Sequence, residues 1–418
     1  MIAALLGFLL GLQARPDPLD QWPQFRGPSG NGHAPHGDPP LEWSETKNVR
    51  WKVEIPGAGS ATPVVWGDRI FVLTAIDTGS PGSGGRTLHR FDVLALDRAT
   101  GSTLWRKTAT EQVPHEGLHA TNTYASGSPA TDGKILIASF GSRGLFAYDL
   151  DGALRWKRDL GPMKIKVGFG EGISPVLWDG FVVVNRDHEA GSEVVCLEAQ
   201  TGESRWRQAR DEGTTWTTPL VVEDRGVTQV VINGTKKTRS YELATGKLLW
   251  ECGGQGMNPI PVPVARGGVV YCMTGYKGYS IAAIRLDSRG DVTGSGQVVW
   301  SRHDAAPYVA SPLLYEDLIY FGKEREPIVA CIDAASGEVQ WGPERIAGLD
   351  TLYASPAGAA GRIYLAGRNG TTVVLKHGRT FEILATNVLP EGIDASPVIV
   401  GRRLYLRTAR HLYAIGTD

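Results

Sequence analysis

The residues able to do chemistry in this 418-residue chain fall into two interleaved sets. One set carries His115, Glu116, His119 and Asn122, then Glu171, Trp216, Asn258, Tyr308, Tyr353 and Asp394; the other carries Arg143, Arg186, Asp187 and Lys236. Acids of one set opposite bases of the other, with aromatic rings between, suit a pocket for a small polar or anionic ligand, or for a protein segment. The competing account is a network of ion pairs among solvated loops, worth little per pair. His115 and His119 have i, i+4 spacing, which places two imidazoles on one metal only in a helix. Pro114 and Gly117 weaken a helix there, so no metal site is expected. No spacing singles out a nucleophile with a base, or a carboxylate pair, so no catalytic residue is assigned.

A repeat positions these residues. The run from Ser174-Pro175 to Trp206 starts with Ser-Pro and a short apolar segment, turns at Asp-Gly, and continues through a β-branched strand. A polar loop, a strand ending near Leu-Glu, a Thr-Gly turn and a strand closed by Trp complete it. The pattern recurs from Thr62-Pro63, Ser128-Pro129, Thr218-Pro219, Val262-Pro263, Ser311-Pro312, Ser355-Pro356 and Ser396-Pro397. A period of roughly 40–50 residues with four short strands per unit predicts a β-propeller. The last copy ends at Ile415 after three strands, and 48–55 (NVRWKVEI) reads as a spare final strand. The expectation is an all-β, eight-bladed propeller of four-stranded antiparallel blades over 48–418, its last blade closed by the N-terminal strand, because closure removes exposed sheet edges. In such a meander the Trp-to-Pro connections and the loops between second and third strands share one rim. Both sets of chemical residues therefore belong to one loop-rich face, and the tight turns to the other. Pro before each first strand costs little where ladder pairing has not begun. The Gly of each Thr-Gly turn takes positive φ, and Trp51, Trp105, Trp156, Trp206, Trp250, Trp300 and Trp341 are expected to pack between blades.

Residues 1–14 read as a signal segment, apolar from Ile2 to Leu12, too short to span a bilayer and followed by no lipid-anchoring Cys. Export to a periplasm or beyond is expected, with no transmembrane segment. Residues 15–47, rich in Gly and Pro with Trp22, Phe25 and Trp43 as anchors, are expected to wrap the outside of the domain. A formal net charge of −1 gives no reason to expect nucleic acid as a partner. Cys196, Cys252, Cys272 and Cys331 have no metal or haem spacing and are expected to be buried thiols. A monomer is expected.

The Ser-Pro starts and AxDxxTGxxxW-like strands, read over 48–418, resemble the PQQ-like β-propeller repeat family. That family includes quinoprotein alcohol dehydrogenases and the non-catalytic outer-membrane assembly lipoprotein BamB. Three stretches, WPQFRGPSGNG (22–32), HATNTYASGSP (119–129) and QVVINGTKKTRSYELATGKLLWECGG (229–254), are similar to exported PQQ-like repeat proteins of planctomycete-type bacteria. The resemblance implies an exported non-catalytic scaffold that binds an envelope protein segment or a small polar ligand and needs no cofactor. The alternative it implies is a PQQ- and Ca²⁺-dependent alcohol or sugar dehydrogenase, with aromatics sandwiching the quinone and Asn and acidic side chains holding Ca²⁺. This chain lacks the adjacent cysteines found beside the quinone in many such dehydrogenases.

Overall fold

The computed structural model describes residues 17–417 except Glu324. The signal segment expected at 1–14 lies outside the described residues. Eight sheets follow one another in chain order, with strands at 64–112, 130–158, 176–210, 220–252, 264–302, 313–345, 357–388 and 398–416. The eighth is completed by Val49–Glu54, which pairs antiparallel with His411–Gly416. The ring is thus an eight-bladed propeller closed by an N-terminal strand.

Burial follows from the layering. The second and third strands of each blade are covered on both faces by neighbouring blades, so Leu136–Ser139 and Leu145–Tyr148 are buried throughout. The fourth strand faces solvent on its outer edge, and Leu154–Arg158 buries only Trp156. That tryptophan lies against Gly202 in the hairpin turn of the next blade and donates Nε1–H to Ala199 O at 2.8 Å. Gly202 has φ +69°, and a Cβ there would lie 2.7 Å from the indole, so the turn needs glycine for both backbone and space. The same contact joins Trp51 to Gly101, Trp105 to Gly152, Trp206 to Gly246 and Trp300 to Gly337. Blade 4 departs from it. A short strand, Gly290–Asp291, from an insertion in blade 5 pairs parallel with Leu248–Cys252, making a five-stranded sheet. Trp250 is fully buried and donates instead to Gln229 Oε1.

The hydroxyls that open the repeats form a second ring, around the axis. Thr62 N donates to Ser128 Oγ (2.9 Å), Ser128 N to Ser174 Oγ (2.9 Å) and Ser174 N to Thr218 Oγ1 (3.0 Å). Further round, Val262 N donates to Ser311 Oγ, Ser311 N to Ser355 Oγ, Ser355 N to Ser396 Oγ, and Ser396 N back to Thr62 Oγ1. The gap falls at Val262, which has no hydroxyl to receive the N–H of Thr218. Each bond ties one blade to the next at a position where the backbone has not begun ladder pairing.

Residues 17–38 cross the turn-side mouth of the channel rather than the outside, whereas 41–47 pass along the outermost strand of blade 7, where Asn387 accepts from Trp43 N and donates to Leu41 O. The crossing part bonds to first strands in succession: Trp22 pairs with Val65, Pro23 O accepts from Thr131 N, Gln24 Oε1 from Leu177 N, and Asn31 holds Ala265 and Leu314. It continues past Gly358 and Gly401. Arg26, only 1% exposed, reaches into the channel and donates to Pro312 O and Pro356 O, both at 2.8 Å. Inner strands leave unpaired carbonyls and amides at the rim, and this strap satisfies them. The channel is consequently closed on the turn side. All four cysteines are buried and free.

Candidate functional site

On the loop-rich face the channel mouth holds a cavity of about 230 Å³, lined by His119, Asn122, Phe169, Trp216, Tyr308, Tyr353, Arg325 and Asp394 among others. Its walls come from the connections between blades. Asn122 fixes one wall: its Nδ2 donates to Phe169 O (2.9 Å) and Glu171 O (3.1 Å), and its Oδ1 accepts from Thr123 N and Ser126 Oγ. Trp216 donates Nε1–H to Gly170 O at 2.7 Å, and its ring lies 6.5 Å from that of Phe169, which meets His119 edge-on at 5.0 Å. Across the mouth, Tyr308 stacks on Tyr276 at 4.8 Å. Burial pushes the Tyr308 hydroxyl above its ordinary range, against a lowering hydrogen bond with Asn258. The Arg368 guanidinium packs 4.6 Å from the Tyr353 ring centre while bonding Asp394 at 2.7 and 3.2 Å. The face therefore presents half-buried aromatic surfaces held by a fixed polar frame, the composition typical of binding clefts.

The structure brings together His119, Asn122, Trp216, Tyr308, Tyr353 and Asp394. Other residues singled out in the sequence serve as supports. His115 bonds Met163 O. Arg143 and Glu171 are buried together, with Arg143 against Phe91 and Tyr124. Arg186 is buried on Gly161 O and beside Glu193. Asp187 is fully buried and holds Arg210 through two bonds, of 2.7 and 3.1 Å. Lys236 sits in an exposed pair with Asp211, and Asn258 accepts from Lys166 Nζ at 3.1 Å behind Tyr308. Phe169, Ser60 and the strand-end residue Arg407 were not singled out. Phe169 is an ordinary apolar residue in a Gly-rich connection, and nothing in its spacing signals exposure.

Among the described residues no group of three or more His, Cys, Asp or Glu side chains is placed to hold a metal ion. Among the described residues Asp394 is the one carboxylate lining the mouth, and it is engaged by Arg368. Calcium takes six to eight oxygen ligands, so this donor set does not fit the Ca²⁺ of a quinone site.

The family model described as outer membrane protein assembly factor BamB matches residues 41–164 and 147–375. The chain belongs to this BamB-type family of PQQ-like repeat propellers. BamB of Legionella pneumophila (strain Paris) is 25% identical over 202 residues, 46% of this chain and 47% of that protein, so the match spans about half of the curated relative. The crystal structure of BamB from Moraxella catarrhalis superposes with a TM-score of 0.60 at 15% identity, covering 88% of this chain and 99% of that one. A europium-containing methanol dehydrogenase gives 0.60 at 11% identity, covering 95% and 98%. Quinohemoprotein alcohol dehydrogenase from Comamonas testosteroni gives 0.64 at 11%, covering 96% and 82%. At these identities the solved structures share the fold, and fold alone assigns no activity. No helix among the described residues is long and apolar enough to cross a membrane.

Proposed function

We propose that the chain is an exported, non-catalytic platform of the cell envelope that holds a segment of another envelope protein against the aromatic mouth of its channel. The observation carrying this reading is the mouth itself: Phe169, Trp216, Tyr308 and Tyr353 converge on a rigid ring whose other end is closed by the N-terminal strap. Half-buried aromatics on fixed loops are the residues from which interface hot spots are built. Beside them Val167 is 78% exposed in a left-handed backbone conformation, φ +55°. A β-branched residue held there is strained, and such strain at an exposed apolar tip suits a contact site better than a fold determinant. The family relationship supports the envelope setting, and export follows from the reading of residues 1–14. A photoreactive amino acid at position 308 tests the proposal. It is expected to cross-link an envelope protein in intact cells, whereas the same group at Lys134 on the turn-side rim is not. Equal capture from both positions, or from neither, refutes it.

A further inference from the structure

Next to the aromatic mouth, and sharing Ser60 and Asp394 with it, lies a second cavity of about 250 Å³ at the junction of blades 8 and 1. Arg407 lines it and is 3% exposed. Its Nη1 donates to Ala61 O at 3.0 Å, which joins the last blade to the first, and no carboxylate among the described residues pairs with it. The acid–base pair in the wall, Arg368 with Asp394, is already neutral. The cavity therefore carries one excess positive charge. Burial without a compensating acid drives the Arg407 guanidinium down to about 9, the signature of a charge held at a cost.

The fold does not require a cation at this place. In each blade the residue after the first-strand proline faces one residue of the second strand: Val398 faces Tyr405, Val64 faces Phe71 and Val176 faces Val183. Two positions further on stand Arg407 in blade 8, Leu73 in blade 1 and Asn185 in blade 3. The remaining blades carry Ser139, Asn233, Met273, Gly322 and Ala366 there, all uncharged. A carbonyl at Ala61 could be satisfied by a neutral side chain, so a guanidinium with donors left over is in excess of the structural need.

We propose that the Arg407 cavity is an anion subsite that takes a single carboxylate, either of a free small organic acid or of the end of a polypeptide chain. The subsite rests on the reading of this face as a binding face and supplies its ligand chemistry. A planar guanidinium fork matches a carboxylate through two parallel bonds. One uncompensated charge suits a monoanion. The volume is below the ~300–1,000 Å³ of sites for drug-sized molecules, so an end group or a small acid is the size that fits.

The test uses the full chain, with calorimetric titration and thermal shift in acetate, inorganic phosphate or chloride at equal ionic strength. Acetate is expected to bind the wild type and raise its melting temperature, and Arg407→Gln is expected to weaken that binding by at least about tenfold. Arg407→Lys, which keeps the charge and loses the fork, is expected to fall between the two, and serves if the Gln variant does not fold. A short peptide that binds with a free C-terminus and not when amidated identifies the chain end as the source; acetate binding with no preference between the two peptides identifies the free acid. No acetate binding by the wild type, phosphate binding without acetate binding, or unchanged acetate affinity in both Arg407 variants overturns the subsite and leaves Arg407 a structural cation. These results are independent of cross-linking at position 308. A subsite that fails while cross-linking succeeds leaves the platform standing, and the converse leaves a small-acid site without a protein partner.

Discussion

Removing one hydroxyl from the axial ring gives the most direct check on how the blades are held. In Ser174→Ala, Ser128 N loses its acceptor at 2.9 Å, and both serines are about as buried as the core, at 2% and 1% exposure. A buried N–H left without a partner costs about 1–3 kcal/mol. Unfolding entropy of ~2.1 cal/mol/K per residue gives roughly 0.9 kcal/mol/K for a cooperative chain of 418 residues, so the melting temperature should fall by about 1–3 °C. Ser174→Thr keeps the oxygen, as Thr62 and Thr218 do naturally, and should stay near the wild type; Ser174→Val, of nearly the same shape, should behave like Ala. The reverse change is available at the gap: Val262→Thr offers Thr218 N an acceptor and should raise the transition by about 1 °C, from a net gain of ~0.5–1.5 kcal/mol. Differential scanning calorimetry measures all four. If Ser174→Ala melts with the wild type while an exposed control such as Ser102→Ala does the same, the ring carries no stability and the reasoning fails.

Other outcomes follow from single contacts. Asp187→Asn should cost about 3–5 kcal/mol by denaturant titration, because it leaves the fully buried Arg210 charge uncompensated; Asp187→Leu with Arg210→Met should recover much of that loss. Trp51→Ala removes the indole that docks the N-terminal strand on Gly101 and Arg98 O. It should lower the transition of the whole ring in calorimetry rather than fray one blade, and an unchanged transition would count against closure by that strand. Val167→Gly relieves left-handed strain of roughly 1–2 kcal/mol, and should stabilise the chain while weakening cross-linking from position 308. Glu189 has its carboxyl held below the ordinary range by hydrogen bonds from the backbone and side chain of Thr214. Its folded pKa lies below its unfolded one, so this stabilisation is present above the unfolded pKa and is lost as pH falls through the folded value. Glu189→Gln should therefore flatten the acid limb of the stability profile, and an unaltered limb would show that the bonds do not bias protonation.

The ring was legible because repetition makes local signals reinforce one another. Pro before the first strand, Gly at a turn and Trp at the end of the fourth strand each have a local reason, and eight copies at a steady spacing leave one architecture. The missing strand of the last blade and the spare strand read at 48–55 also showed in the sequence, since a count of strands is a one-dimensional property. The insertion in blade 5 did not, because Gly290–Asp291 pairs with blade 4 through a contact distant along the chain. The hydroxyls of the Ser-Pro and Thr-Pro starts stood in plain view, yet their partners are one blade away, and only closure brings each within 3.2 Å of the preceding amide.

For the site, the sequence determined which loops share a face and that acids, bases and aromatics gather there. Tertiary structure decided which of those groups remain open to a ligand. Asp187 and Glu171 looked like mouth residues, but each sits beside an arginine inside the ring, where a charge without a partner is costly and pairs form first. Arg407 looked like an ordinary strand end, but circular closure sets it beside Ala61, 346 positions away, in a cavity whose acid, Asp394, is already taken by Arg368. Spacing along a chain reports periodicity, and periodicity built this propeller. Which charges cancel depends on distances across the ring, and those exist only once its ends have met.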